Sequence, residues 1–251
     1  MTLSILIPVF NEKALVGTLL ERVASLAMPA GVGKELIIVD DGSTDASADV
    51  IQDFQRRKEG TNVVFIRHPK NLGKGAAVRT AMKAAQGDIL IIQDADLEYE
   101  PTDILEVASP ILRGEQKIVY GSRILREKEL GRSGFLGLIT GKHPHSYVLA
   151  YLGGVTVTMW INFLTGSKLT DEPTCYKCFH RSALEGVSID NDDFAWEPEL
   201  TMKLLTRGFE IAEVPISYNP RRNSDGKKIN WRDGLKALLT SWKYRQRASA
   251  K

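Results

Sequence analysis

Predominantly apolar runs alternate with amphipathic stretches through the first half of the chain. The runs are Leu3 to Phe10, Leu36 to Val39, Val63 to Ile66 and Ile89 to Ile92. Continuous apolarity over four to eight residues predicts strands buried on both faces, as parallel strands under helices are. Between the runs, apolar residues return at helical spacing. Leu15, Leu19, Leu20 and Val23 follow the first run, and further helices are expected to about Lys58, to about Gln86, and over Thr102 to Leu112. Pro8 is expected to end the pairing of the first strand. Asn11 and Glu12 should open the first helix, and Ser43 or Thr44 should cap the second. With a further strand at Ile118 to Tyr120, the alternation predicts a mainly parallel α/β sheet with right-handed crossovers.

The second half is less regular. Gly121 to His145 is rich in Gly, Arg and Lys and reads as a loop. Tyr147 to Leu164 contains no charged residue and approaches the length of a membrane span. Gly153, Gly154, Thr156, Thr158 and Asn162 dilute its hydrophobicity, which favours a helix packed on the domain or lying at an interface. Strands are expected over Asp171 to Phe179 and Glu210 to Tyr218, with a helix over Trp196 to Thr206. At the C-terminus, Trp231, Leu235, Leu238, Leu239 and Trp242 stand at helical spacing among Arg232, Lys236, Lys243, Arg245 and Arg247. Tryptophans with basic residues on an amphipathic helix fit an interfacial helix; an ordinary helix docked on the core has the same periodicity. Residues 1–230 are therefore read as one catalytic-sized domain and 231–251 as a basic amphipathic extension.

Charge changes the picture at the strand ends. The second strand finishes in Asp40-Asp41, followed by Gly42-Ser43-Thr44-Asp45, and the fourth in Asp94-Ala95-Asp96-Leu97-Glu98. Ligands of open α/β sheets bind just beyond the carboxyl ends of the strands. On an extended chain alternate positions share a face, so Asp94, Asp96 and Glu98 are expected to converge, and three hard oxygen ligands suit Mg²⁺ or Mn²⁺. If the first, second and fourth strands are neighbours, Phe10-Asn11-Glu12, Asp40-Asp41 and Asp94-Ala95-Asp96 line one crevice suited to a nucleotide. The first strand is not followed by Gly-x-Gly-x-x-Gly, and Asn71-Leu72-Gly73-Lys74-Gly75 lacks the spacing of a P-loop.

These motifs, in this order, resemble those of family 2 glycosyltransferases: Pro8-Val9-Phe10-Asn11-Glu12, Asp40 to Asp45, Asn71 to Gly75 and Asp94 to Leu97. Gly121-Ser122-Arg123, Asp171 with Thr174 and Lys177, and Val214 to Tyr218 followed by Arg221 and Arg222 extend the likeness to the dolichyl-phosphate mannose synthase group. The resemblance implies a GT-A fold, a Rossmann-like sheet flanked by helices. It implies inverting transfer of mannose or another hexose from a GDP- or UDP-sugar to a polyprenyl phosphate. By resemblance, Pro8, Phe10, Asn11, Glu12, Asp40, Asp41, Gly73, Lys74, Asp94, Ala95, Asp96, Arg221 and Arg222 contact the nucleotide sugar. Asp94, Asp96 and Glu98 hold the metal, and Asp96 and Arg123 are catalytic. Ser122, Arg123, Arg126 and His145 are candidates for the acceptor phosphate. The metal motif carries Glu98 where the family often has Gln.

Composition narrows the rest. Of 251 residues, 43% are hydrophobic and 25% charged, which suits a globular protein with a sizeable core. The formal charge of +2 conceals acids between Asp40 and Glu106 and a basic tail from Arg221 onward. Such a tail expects an anionic partner, here a phosphate ligand or a membrane surface. Arg221-Arg222 and Lys227-Lys228 have only Trp231 as an aromatic neighbour, so nucleic acid is not expected. Two cysteines, Cys175 and Cys178, make no disulfide framework and only half a zinc site. No secretory leader is legible at the N-terminus. The expectation is a cytoplasmic, peripheral protein on the inner face of a membrane, with a membrane subunit as a possible partner. Two alternatives stand beside it: transfer to a sugar or lipid hydroxyl, and a non-catalytic nucleotide-sugar-binding module.

Overall fold

The structure, a computed structural model, describes residues 1–58, 62–131, 145–221 and 231–246. In chain order the elements are β1 (Thr2–Val9), α1 (Val16–Ala24), β2 (Gly33–Asp40), α2 (Ser47–Arg57), β3 (Val63–Arg67), α3 (Lys74–Ala84), β4 (Ile89–Ile92), α4 (Asp103–Leu112), β5 (Ile118–Ser122) and α5 (Arg123–Glu129). After them come α6 (His145–Thr165), β6 (Lys177–His180), α7 (Trp196–Thr206), β7 (Ala212–Pro215) and α8 (Trp231–Lys243). The strands form one sheet in the order β3-β2-β1-β4-β6-β5-β7. β1, β2, β3 and β4 are parallel, as the unbroken aliphatic runs require, and β1 is the central neighbour of both β2 and β4. The expected adjacency of the first, second and fourth strands is therefore met.

The core is built from those runs. Leu3, Ile5, Ile7, Ile37, Ile38, Val39, Ile89 and Ile91 are fully buried, with Leu19, Leu20 and Val23 of α1 and Ile51 and Phe54 of α2 packed on the sheet. A smaller cluster of Val157, Ile161, Leu169 and Met202 joins α6 to α7, with Ala237 and Leu238 of α8 packed against it. Burying side chains of this size contributes roughly 1.5–3 kcal/mol each.

Several sequence expectations shift once tertiary contacts act. Pro8 does not end β1: its register continues to Val9 opposite Asp40, while pairing with β4 stops at Leu6. The first helix begins at Val16 rather than at Asn11, because Asn11 takes a left-handed φ of 51° and Glu12 gives its N–H to Ser47 Oγ. Neither Ser43 nor Thr44 caps α2; Asp45 accepts from the Ser47 N–H instead, and Ser43 Oγ accepts from the Asn11 N–H. The strand expected over 171–179 is confined to Lys177–His180, and it runs antiparallel between β4 and β5. The Gly121-to-His145 stretch starts as helix α5, capped by Ser122 Oγ; residues 132–144 lie outside the described set. No helix among the described residues is long and apolar enough to cross a membrane.

One glycine joins this framework to the cleft above the sheet. Gly42, at the end of β2, has φ 69°, and a Cβ there would stand 2.2 Å from the Lys70 carbonyl carbon. Backbone strain and the clash act together, so Gly42→Ala is expected to cost about 2 kcal/mol or more. A shift of the urea midpoint at unchanged slope measures it.

Candidate active site

The C-terminal ends of β1, β2, β4 and β5 open into a cleft of about 1000 Å³. Pro8, Phe10 and Glu12 line it after β1, Asp41 after β2, Gly73 and Lys74 at the start of α3, and Asp94, Ala95, Asp96 and Glu98 after β4. Arg123, Asp171, Glu197, Tyr218 and Arg221 close the other side, and α6 and α8 form the far wall. Most of the residues expected to contact a nucleotide sugar are thus brought together, although their chains approach from five different loops.

The acids are divided between two cations. Lys74 Nζ lies 2.9 Å from Asp94 and 3.1 Å from Glu197. Burial opposes its charge, but these carboxylates outweigh burial and hold Lys74 well above the usual lysine range. The Arg221 guanidinium sits 2.9 Å from Asp96 and 3.0 Å from Glu12, with Glu98 at 3.8 Å. Glu98 also accepts from the Tyr218 hydroxyl at 2.7 Å and from the Arg221 N–H at 2.8 Å. Asp94, Asp96 and Glu98 line one cleft but are each engaged by a cation, and among the described residues no trio of His, Cys, Asp or Glu is grouped to hold a metal. The expectation of convergence assumed an extended chain. β4 stops at Ile92, and Leu97 turns into the left-handed region at φ 58°, so alternation ends before the acids.

The donor chemistry nevertheless fits a hard cation. Burial, then Asp94 and then Glu98, push the Asp96 carboxyl up to about 6, with Arg221 opposing. Carboxylates crowded this way attract a positive charge, and the guanidinium of Arg221 already stands among Glu12, Asp96 and Glu98.

Other expected contacts have different work. Asp40 is fully buried, accepts from the Ser43 N–H and pairs with Arg67 at 3.0 Å; it supports the loop and does not line the cleft. Asp41 does line it, but accepts from the N–H groups of Leu72 and Gly73 and meets His68 Nδ1 at 2.7 Å. Asn11 spends its carbonyl on the Thr44 N–H and lies off the cleft. On the acceptor side, Ser122 is buried, capping α5 and bonding Thr170 at 2.6 Å. Arg126 pairs with Glu129 outside the cleft. Arg222 lies outside the described residues, as does the side chain of His145. Arg123 is the acceptor candidate that reaches the cleft. Its Nε and one terminal nitrogen grip Asp171 at 2.7 Å each, and the guanidinium stacks over the Tyr218 ring at 4.9 Å. Burial works against its charge, yet Asp171 keeps it well above the ordinary range.

The motifs of the cleft are those of a known family. The chain belongs to glycosyl transferase family 2. The family model matches residues 4–186, covering every strand end that lines the cleft except β7. An undecaprenyl-phosphate 4-deoxy-4-formamido-L-arabinose transferase of Pseudomonas aeruginosa is 35% identical over 226 residues, 89% of this chain and 59% of that protein. A dodecaprenyl-phosphate galacturonate synthase of Rhizobium johnstonii is 29% identical over 225 residues, 90% of this chain and 61% of that one. The chain thus spans about three fifths of the length of these two relatives. Among solved structures, glucosyl-3-phosphoglycerate synthase from Mycobacterium tuberculosis, in complex with Mn²⁺, uridine diphosphate and phosphoglyceric acid, superposes with a TM-score of 0.68. It is 20% identical, with 99% of this chain and 80% of that one covered. The GT-A fold expected from the sequence is the fold observed.

Three features of this family 2 cleft were not read in the sequence. Tyr99 and Tyr218 pack with their rings tilted by 58° at 5.2 Å, and Tyr218 backs Arg123; a tyrosine directly after the acidic motif was the available signal. The Lys74–Glu197 pair joins residues 123 positions apart, which no local pattern reveals. Glu172 and Lys177 are fully buried together beneath the cleft, with Lys177 Nζ over the Tyr120 ring at 4.2 Å.

The Asp96 environment yields a pH prediction. The folded protein keeps this proton to about pH 6, whereas an unfolded chain releases it near 3.8, so its favourable contribution is present in acid and lost as the pH climbs through that window. Asp96→Asn is therefore expected to melt higher than the parent at pH 7.5, by on the order of 1–2 kcal/mol, with the difference closing by about pH 4. Paired thermal melts across pH give the comparison.

Proposed function

We propose that the protein transfers a hexose from a nucleoside diphosphate sugar to the phosphate of a polyprenyl lipid carrier. The observation that carries this reading is Arg123, a cation locked by Asp171 and Tyr218 in the cleft wall. A hydroxyl acceptor needs a general base to remove its proton. The carboxylates best placed for that task are engaged: Glu197 and Asp94 with Lys74, Asp171 with Arg123, and Asp193 with Lys236. A phosphate monoester has a second pKa of about 6 and already presents a nucleophilic oxygen at neutral pH. It needs positioning by a fixed cation, which Arg123 supplies. The relatives named as polyprenyl-phosphate sugar transferases support the same acceptor class.

In this reading the nucleoside lies along Pro8, Phe10 and the edge of Asp41, with Arg221 beside the diphosphate. Asp96, with Asp94 and Glu98, would hold Mg²⁺ or Mn²⁺, whose charge offsets that developing on the leaving diphosphate. Arg123 holds the acceptor phosphate so that its oxygen faces the anomeric carbon, and direct displacement inverts that centre. Lys74 keeps Asp94 and Glu197 in place around the sugar. A lipid-borne acceptor implies work at a membrane surface, on the cytoplasmic side where nucleotide sugars are made. GDP against UDP and mannose against other hexoses are the finer choices that the assay below separates.

The test is a panel of GDP- and UDP-sugars with polyprenyl phosphate, or the matching polyprenol, plus Mg²⁺ or Mn²⁺, following nucleoside diphosphate release. Release is expected with the phosphate and not with the alcohol; the opposite pattern overturns the reading. Asp96→Ala and excess chelator should each lower the rate by roughly three orders of magnitude, the scale of losing a preorganised charge.

Two substitutions then separate acceptor binding from proton removal. Arg123→Ala is expected to raise KM for the lipid phosphate at least about tenfold while leaving nucleotide binding near normal, since a charged hydrogen bond is worth about 1.5–3 kcal/mol. Glu197→Gln, which still accepts from Lys74, should retain turnover within about tenfold of the parent. Abolished turnover in a folded Glu197→Gln protein would instead make Glu197 the base of a hydroxyl transferase.

A further inference from the structure

One guanidinium holds three acids of the cleft. The two terminal nitrogens of Arg221 reach Glu12 at 3.0 and 3.2 Å, one of them also reaches Asp96 at 2.9 Å, and Glu98 lies 3.8 Å from Nε. A single positive charge thus faces three carboxylates, all of them largely withdrawn from solvent. The seat is also incomplete, because Nε of Arg221 is buried and no described residue accepts a hydrogen bond from it. A buried donor left unpaired and acids left partly unneutralised both cost free energy. The chain that carries Arg221 is fixed by other means. The Asn219 N–H donates to the Glu98 carbonyl at 2.8 Å beside the bridge of Tyr99 with Tyr218, and the Ser217 N–H donates to Asp103. Neither bond uses a carboxylate that the guanidinium holds, so the side chain has rotamers by which to leave while its backbone stays.

Asp96 and Glu98 are also the groups that would take Mg²⁺ or Mn²⁺ in the reading above. A hard cation binds carboxylates through the same oxygens that a guanidinium uses. Seated together on those oxygens, the two like charges would stand a few ångströms apart inside a cleft shielded from water, where repulsion is strong. We infer that Arg221 is an exchangeable counter-ion: its guanidinium and a divalent cation compete for Asp96 and Glu98, and a nucleoside diphosphate favours the exchange by offering the guanidinium other anionic oxygens. A planar guanidinium suits phosphate oxygens as well as it suits carboxylates, so Arg221 gives up one anionic partner for another of the same kind. Cation and nucleotide are thereby coupled through one side chain, each raising the affinity of the other by the same factor. This rests on the metal-assisted departure of the diphosphate proposed above and names the residue that links the two ligands.

The experiment uses the full chain without polyprenyl phosphate and follows free Mn²⁺ by electron paramagnetic resonance, with and without UDP or GDP. Arg221→Met removes the competitor and is expected to bind Mn²⁺ alone at least about tenfold more tightly than the parent, within the usual range of coupling between sites. Arg221→Lys keeps the charge but loses the fork that spans two acids, and should bind Mn²⁺ at least about threefold more tightly. Saturating nucleotide should tighten Mn²⁺ binding more in the parent than in Arg221→Met, by about tenfold. A second measurement needs no altered site: in the parent labelled with ¹⁵N-arginine, Mg²⁺ should shift the side-chain resonance that is missing from the Arg221→Lys spectrum. Arg221→Met that binds Mn²⁺ alone no better than the parent would overturn the exchange. So would an Arg221 resonance unmoved at saturating Mg²⁺. Parental affinity in Arg221→Lys would also overturn it, since net charge rather than shared oxygens would then govern binding. Competition without sugar transfer to the lipid phosphate would leave the exchange standing and sink the proposed activity; transfer without competition would do the reverse.

Discussion

Carboxylates delivered to the ends of buried strands must be balanced by cations that come from elsewhere in the chain. Asp94 and Glu197 share Lys74; Glu12, Asp96 and Glu98 share Arg221; Asp171 takes Arg123; and Glu172 takes Lys177. Removing the cation from a buried pair such as Arg123–Asp171 or Lys177–Glu172 leaves a carboxylate in low dielectric, a loss of about 3–5 kcal/mol. The balance closes the loops after β1, β4, β5 and β7 on one another, together with the isolated backbone bridge of Tyr99 with Tyr218 that joins the loops after β4 and β7. It also makes the site responsive: a bound diphosphate or metal ion changes the sum of charge, and Arg221, shared among three acids, is the group with alternatives.

The sheet prepares this arrangement by one departure from parallel order. β6 runs antiparallel between β4 and β5, and it is approached through the segment 170–176. That approach lays Asp171, Glu172 and Cys175 across the floor of the cleft. Tyr176 O–H donates to Gln93 at 2.7 Å, which ties the floor to the end of β4. Arg123, at the exit of β5, meets Asp171 as a result. An all-parallel sheet would carry β5 beside β4 and leave Arg123 without its fixed partner.

The far wall connects chemistry to surface. α6 and α8 line the cleft on one side and carry exposed aromatic and aliphatic residues on the other. Trp160 belongs to both layers, half-buried against α8 and stacked between Phe163 and Trp242. Packing that holds the cleft wall therefore also holds the outer face.

Local sequence determined the strands β1 to β4, the helices after them and the span of α7, because continuous apolar runs and helical periodicity act within a few residues. It also determined the chemical character of the cleft: the strand-end motifs are contiguous, and Pro8, Phe10, Glu12, Asp41, Lys74, Asp94, Asp96, Arg123 and Arg221 all reach it. Tertiary structure decided what each of those groups does. Asp40 turned under Arg67, Ser122 became a helix cap, and Asp94 and Asp96 took different cations where the extended backbone ends at Ile92. The pairings of Lys74 with Glu197 and of Arg221 with Glu12 span 123 and 209 positions. Such contacts follow from desolvation and charge balance once the sheet has formed, and neither has a period that a linear pattern records.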